Sequence, residues 1–211
     1  MKLLSYDSPM IQFLARVGDI ILLNLLFLLC CLPVVTVGAA QAGLLTALKR
    51  LHDKEDDRPW LPAFFRGFAA GFWRITGLWC AFLVLAVLLM GNLIGTMFYQ
   101  QADPNAPVWM SVAALCVLCL FEVLVALFHF RFSCTVPQLV KNAWLLLLAY
   151  PVRSIAVLAI TWLPLAVFLL DAYLFMQLTP VLLLVYFSLA YSLTLRIMAK
   201  PFQKLMSARN W

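Results

Sequence analysis

The chain carries six long apolar stretches separated by short polar segments. A helix of ~20 apolar residues crosses the ~30 Å hydrocarbon core of a bilayer and satisfies its own backbone polar groups there. The stretches also lack the alternating pattern of outer-membrane strands. We therefore expect an all-α, polytopic transmembrane helical bundle, one membrane domain over residues 1–211. Its spans are predicted at about residues 10–32, 34–48, 75–99, 108–130, 152–170 and 173–198.

The composition agrees with a membrane protein. Hydrophobic residues make up 65% of the chain and charged residues 11%, and the mean hydropathy is +1.00. Soluble domains carry about a quarter charged residues, so these charges are too few for a water-solvated surface. The net charge of +6 comes from basic residues beside apolar spans. It indicates topology signals and contacts with anionic lipid, and nucleic acid is not an expected partner.

The basic residues also predict an orientation. All 15 Lys and Arg residues fall in four alternate segments, residues 2–16, 49–74, 131–153 and 196–209. Positive residues favour the cytoplasmic side, so both termini are expected in the cytoplasm of a bacterial cell, with the protein in its cytoplasmic membrane. A five-span arrangement, with residues 17–48 as one bent helix, stays open; it would place Lys2 and Arg16 outside.

Two amphipathic segments are predicted to lie at the cytoplasmic membrane surface. Residues 59–73 place aromatic side chains on one helical face, and residues 136–149 form a similar segment between basic residues. Such helices lie in the headgroup plane. The residues expected to contact membrane or a partner are Trp60, Phe64, Phe65, Arg66, Phe68 and Phe72.

The second stretch is short and rich in small residues that recur at four-residue spacing. This pattern lets helix backbones approach closely, which is what holds helices together in lipid. Pro33 breaks the preceding run, and Thr36 and Gly38 are expected to shape the turn that follows, with Thr36 as the cap of the next helix.

Polar residues inside the spans are the candidate functional residues. Glu122 lies within an apolar stretch, where an acid costs ~2.5–3.5 kcal/mol, and His129 follows two turns later. They predict either a proton-linked or substrate-contacting pair or a buried carboxyl held by a neighbouring helix. Asn24 and Gln41 are expected to share an interhelical hydrogen bond between the first two spans.

Motifs for known chemistry are missing. The sequence has no nucleotide-binding loop, no Ser/His/Asp set and no His-rich cluster. The six cysteines lie in or beside apolar spans and are expected to act as small apolar residues. We therefore expect no catalytic residues, no metal and no cofactor.

One segment resembles a known family. Residues Asn24–Ala40 with the Pro33-x-x-Thr36-x-Gly38 turn, then Ala47–Arg50 and the aromatic residues 60–72, are similar to the YesL-like family of bacterial membrane proteins, a domain of unknown function. The resemblance covers about residues 5–80. Genes of that family often accompany ABC sugar importers, so the resemblance implies an accessory role in carbohydrate uptake.

Three functional hypotheses follow. The first is a non-catalytic accessory or assembly subunit whose partners are the bilayer and either ABC sugar-importer subunits or a second copy of itself. The second is a small secondary carrier or channel that uses Glu122 and His129. The third is a membrane enzyme acting on lipid-linked sugars.

Overall fold

The computed structural model describes residues 9–52, 59–99, 112–114, 116, 123 and 135–208, and these residues are almost entirely helical. A 3₁₀ turn at Val34–Thr36 and a π turn at Leu182–Tyr186 interrupt the α-helices. The long α-helices are α1 (Pro9–Cys31), α2 (Val37–His52), α3 (Trp60–Ala69), α4 (Phe72–Tyr99), α5 (Val136–Ala149), α6 (Pro151–Leu170), α7 (Ala172–Val181) and α8 (Phe187–Ala208).

Helix α2 lies at the centre of the fold and contacts α1, α3, α4 and α8. Most of its side chains are buried, including Ala40, Leu44, Leu45 and Leu48. A helix that is covered on all sides does not need the strongly apolar surface of a lipid-facing span. This position explains why the second apolar stretch is weaker than the others.

Small residues bring α3 against α2 at close range. A Cβ atom added to Gly43 would lie 2.9 Å from the carbonyl oxygen of Phe64, and one added to Gly67 would lie 2.9 Å from that of Ala42. The Gly67 methyl would also collide with Thr46. The expected small-residue packing is therefore present, and it allows α3 to approach α2 closely.

The predicted amphipathic helix of residues 59–73 is present as α3, but it is shorter than predicted and packs on α2. It ends at Ala69, because Gly71 takes a left-handed conformation (φ 76°) that favours glycine. Its residue Phe64 packs on Gly43, and beyond the break Ile75 packs on Gly38. As the residue number rises on one side it falls on the other, so the chain from α3 into α4 runs antiparallel to α2.

Helices α5 and α6 form a sharp corner of 106°. Helix α5 begins where the Gln138 side chain accepts a hydrogen bond from the Thr135 backbone N–H at 3.2 Å. It ends at Ala149 because Tyr150 precedes Pro151, and a residue before proline is pushed out of helical conformation. Pro151 then starts α6, a position that suits a residue without a backbone N–H. The predicted boundaries 136–149 and 152–170 agree with these two helices.

Three helical segments in the described part of the chain are long and apolar enough to cross a membrane. They are Leu14–Cys31, Phe72–Asn92 and Ala172–Gln203, and the bent α5–α6 pair makes a fourth if it counts as one span. Many of their apolar side chains are exposed, as lipid contact requires; Val84, Val87 and Leu88 of α4 are 61–68% exposed. The structure thus agrees with a polytopic helical membrane protein, and shows three to four candidate spans where the sequence predicted six.

Two of the six predicted spans, the second and the fourth, are not among these candidates. The second is helical, but α2 has 16 residues and is enclosed by other helices. The fourth, residues 108–130, lies mostly outside the described residues; Val112–Ala114, Cys116 and Val123 are helical there, and Val123 is fully buried.

Candidate functional site

A cavity of about 330 Å³ lies among α1, α2, α4, α6 and α8. Aromatic side chains form much of its wall, and the polar side chains of Gln41 and Thr161 also line it. The aromatic residues are Phe27, Trp79, Trp162, Phe187 and Tyr191. A cavity of this volume and this apolar lining falls in the range of small-molecule sites.

Two polar atoms of the cavity lining have no hydrogen-bond partner among the described residues. Gln41 is 5% exposed, and its Oε1 atom accepts no hydrogen bond; the indole Nε1 of Trp162 donates none. Thr161, in contrast, donates to the Val157 carbonyl oxygen at 2.9 Å within its own helix. Two side chains that line the cavity therefore each carry a buried, unused polar atom: an acceptor on α2 and a donor on α6.

Asn24 is fully buried and binds the last membrane helix. Its Nδ2 donates to the Leu183 carbonyl oxygen at 2.6 Å, and its Oδ1 accepts from the Ser188 backbone N–H at 2.9 Å. Leu183 lies within the π turn and Ser188 lies just after it, where a helix leaves backbone groups without their ordinary partners. The predicted Asn24–Gln41 hydrogen bond is therefore wrong, because both ends of the Asn24 carboxamide are used to close the irregular turn.

Thr36 shapes the turn after Pro33 as predicted, but its hydroxyl does not cap α2. The Thr36 hydroxyl donates to the carbonyl oxygens of Cys30 (2.6 Å) and Pro33 (2.8 Å). It therefore stabilises the end of α1 rather than capping α2 with an accepted hydrogen bond. Gly38 lies inside α2 and permits contact with α4, since a Cβ there would meet Ile75 and Trp79 side-chain atoms at 3.0 Å.

The aromatic residues of α3 divide into an inner and an outer set. Phe64 is fully buried, and Phe64, Phe68 and Phe72 contact each other in sequence at 6.4 and 5.4 Å between ring centres. This row continues across the break between α3 and α4. Trp60 donates its indole N–H to Asp19 Oδ1 at 2.9 Å, so it ties α3 to α1.

The outward set, called the ridge below, consists of three exposed residues near the junction of α3 and α4: Phe65, Arg66 and Trp73. Phe65 is 50% exposed and Trp73 is 85% exposed, and Arg66 is also exposed. Beside the ridge is an open hollow of about 460 Å³ lined by residues 68–69 and 71–74. Of the predicted contact residues, Phe65 and Arg66 are therefore the ones most available to a membrane or a partner, and Trp73 adds to them.

A serine–histidine pair, which the sequence analysis did not identify, lies in a groove between α2 and α8. The Ser192 hydroxyl and His52 Nε2 are 3.0 Å apart, and His52 Nδ1 is 2.8 Å from the Leu48 carbonyl oxygen. A carbonyl only accepts, so Nδ1 carries the proton and Nε2 is free to accept from Ser192. The groove, about 190 Å³, is also lined by Lys49 and Arg196.

Glu122 and His129 both lie outside the described residues, so their proposed pairing stays a prediction. Within the described residues, His, Cys, Asp and Glu side chains form no group of three or more that could hold a metal ion. The thiols of Cys30, Cys31, Cys80 and Cys116 are free.

Residues 20–93 match a protein family described as "Protein of unknown function, DUF624". The match runs from within α1 through α2 and α3 into α4, and it confirms the resemblance that the N-terminal segment suggested. It contains Asn24, Gln41 and the α3–α4 ridge, whereas Trp162 and Ser192 lie beyond it. No curated protein and no solved structure matches the chain.

Proposed function

We propose that this is a six-span protein of the bacterial cytoplasmic membrane that serves as a non-catalytic accessory or assembly subunit of an ABC-type carbohydrate importer. The observation that carries the partner-binding role is the exposed ridge of Phe65, Arg66 and Trp73 at the α3–α4 junction. The link to carbohydrate import rests on the YesL-like resemblance alone.

The proposed topology places both termini in the cytoplasm. In it, α1 runs outward, α2 returns, and α4 forms the third crossing, with Arg66 and Arg74 on the cytoplasmic side. The 106° corner supports an in-plane position for α5 beside a crossing α6.

The ridge suits a protein partner because it combines rigid aromatic groups with a cation. Aromatic residues and arginine are enriched at the energetic centres of protein interfaces. The rings of Phe65 and Trp73 pack edge-on against Phe64 and Phe72, each at 5.6 Å between ring centres, so little ordering entropy would be lost on binding. We expect a membrane subunit of the importer to dock here.

Affinity purification in a mild detergent tests the proposed partner. Wild-type protein is expected to bring down importer subunits, and Phe65→Ala/Trp73→Ala is expected to lose at least 90% of them, or about 1.4 kcal/mol. Trp144→Ala is the matched control, because Trp144 is a 43% exposed tryptophan on α5, away from the ridge. Recovery of the wild-type protein without transporter subunits would contradict the proposal.

The topology has a separate test. Reporter fusions within residues 53–58 and at the C-terminus should report the cytoplasm, and a fusion within residues 100–107 should report the outside. An external signal from residues 53–58 would contradict the proposed orientation whatever the partner is.

A second candidate function, a membrane-surface esterase, is favoured by the Ser192–His52 pair. Ser192 Oγ would attack an ester carbonyl while His52 Nε2 takes its proton, and the same proton would go to the leaving alcohol. Water would then hydrolyse the acyl-serine. Lys49 and Arg196 would attract an anionic substrate.

A fluorophosphonate reagent, which labels activated serines, tests this candidate. Wild-type labelling at Ser192 that falls at least tenfold in His52→Gln is expected if His52 activates the hydroxyl. A Ser188→Ala variant is the control, since Ser188 is a buried serine on the same helix. Absence of labelling at Ser192 would eliminate the esterase.

A further inference from the structure

We infer that the cavity lined by Gln41 and Trp162 is a binding site for a lipid-soluble molecule that carries a hydroxyl group on a flat apolar body. The inference rests on Gln41 and Trp162, whose side chains line the same space and each carry a buried polar atom without a partner, Gln41 Oε1 and Trp162 Nε1. It does not depend on the importer role.

Burying these two polar atoms without hydrogen bonds costs folding free energy. A buried polar group without a hydrogen bond loses its interaction with water and gains nothing in return. Leucine or methionine at position 41 would pack on α2 without that cost, since the surrounding residues of α2 are small or apolar. Asn24, one helix away, shows that this fold pairs both ends of a buried carboxamide when no space adjoins it. Gln41 instead faces a cavity.

The chemistry of the lining selects the ligand class. A hydroxyl group both donates and accepts, so it can pair with the Gln41 carboxamide and with the Trp162 N–H. The rings of Phe27, Trp79 and Phe187 offer faces and edges to a flat apolar body.

Other ligand classes fit this lining less well. No described lining residue is charged, so the described part of the lining offers an ion no counter-charge. A monosaccharide carries several hydroxyl groups, and four polar side chains in the described lining, Gln41, Thr161, Trp162 and Tyr191, would leave part of them unpaired. A phenol or an apolar alcohol matches both the number and the type of the available groups.

The test compares 1-naphthol with naphthalene, which has the same ring system without the hydroxyl group. Binding to the full-length protein in lipid nanodiscs is measured by equilibrium dialysis, and the signal of protein-free nanodiscs is subtracted so that partition into lipid cancels. Wild-type protein is expected to bind 1-naphthol saturably and about tenfold more tightly than naphthalene, because one or two hydrogen bonds to buried groups are gained.

Two variants remove one hydrogen-bonding group each. Gln41→Met keeps the side-chain length and Trp162→Phe keeps an aromatic wall, and each is expected to bring the preference for 1-naphthol below threefold. Ser154→Ala is the matched control on α6, because it removes a buried, unpaired hydroxyl that does not line the cavity; the preference should stay near tenfold. If Gln41→Met does not fold, the Trp162→Phe comparison decides alone.

Three outcomes would overturn the inference. The first is a lack of saturable 1-naphthol binding, which is expected if water alone fills the cavity. The second is equal affinity of the wild-type protein for 1-naphthol and naphthalene. The third is an unchanged preference for 1-naphthol in both variants.

Discussion

Replacing Gly67 by alanine should loosen the contact of α3 with α2. The added methyl would lie 2.9 Å from the backbone oxygen of Ala42 and would collide with the side chain of Thr46. The Thr46 side chain cannot move away without loss, because its hydroxyl donates to the same Ala42 oxygen at 2.7 Å. The two helix backbones must therefore separate.

The change in the free energy of unfolding follows from two opposing contributions. Overpacking a tight interior contact costs about 1–3 kcal/mol, whereas Gly→Ala inside a helix gains about 0.5–1 kcal/mol of backbone entropy. Since the Thr46 side chain is held by its hydrogen bond and the Ala42 oxygen belongs to the backbone, the clash should dominate, and we expect a net loss of about 1–2 kcal/mol in the free energy of unfolding. Gly77→Ala is the control: a methyl there meets no atom within 4 Å, so only the helix-propensity gain remains.

The assay is unfolding by SDS in mixed micelles, followed by circular dichroism. Gly67→Ala should unfold at lower SDS fraction than the wild-type protein, and Gly77→Ala at an equal or higher fraction. Gly43→Ala, which brings its methyl to 2.9 Å from the Phe64 oxygen, should resemble Gly67→Ala. If Gly67→Ala proved as stable as Gly77→Ala, the close contact of α3 with α2 would be refuted.

The remaining predictions concern hydrogen bonds between distant helices. Asn24→Leu leaves two backbone groups at the π turn unpaired and should cost about 2 kcal/mol of unfolding free energy, whereas Gln177→Leu, at an exposed position of α7, should change it by less than about 0.5 kcal/mol. Equal effects of the two variants in the SDS assay would refute the role of Asn24. Trp60→Phe removes the hydrogen bond to Asp19 and should cost about 1–2 kcal/mol, since the acceptor is a carboxylate. Trp73→Phe is its exposed control, and similar stability of the two variants would argue against that bond.

Local signals in the sequence predicted the helices well where the signals were strong. The boundaries of α5 follow from Thr135, Gln138 and the proline after Tyr150, and all of these act within one turn of the chain. The end of α3 was placed too late. Gly71 is a permissive residue, and the aromatic pattern continues past it to Phe72, so periodicity alone predicts a longer helix.

Contacts between distant segments had no local signal. The Asn24 donor and the Leu183 acceptor are 159 positions apart, and the Ser192–His52 pair spans 140 positions. A serine in an apolar helix and a histidine at a helix end are common features, so neither residue predicts the other. The composition could indicate that a polar residue within a span needs a partner, but it could not identify that partner.

Asn24 and Gln41 look equivalent in the sequence, since each is a carboxamide in an apolar stretch, and the fold gives them opposite roles. Asn24 faces a helix whose backbone is already irregular at Leu182–Tyr186, so its two polar ends are both used there. Gln41 faces a space bounded by side chains of α6 and α8, and those side chains offer its oxygen no donor among the described residues. The neighbouring helix thus decides whether a buried carboxamide has a structural role, as in Asn24, or is a candidate ligand contact, as in Gln41. The comparison of Asn24→Leu with Gln41→Met should reveal the difference: the first should lower the free energy of unfolding, and the second should change ligand preference while leaving that free energy at or above the wild-type value.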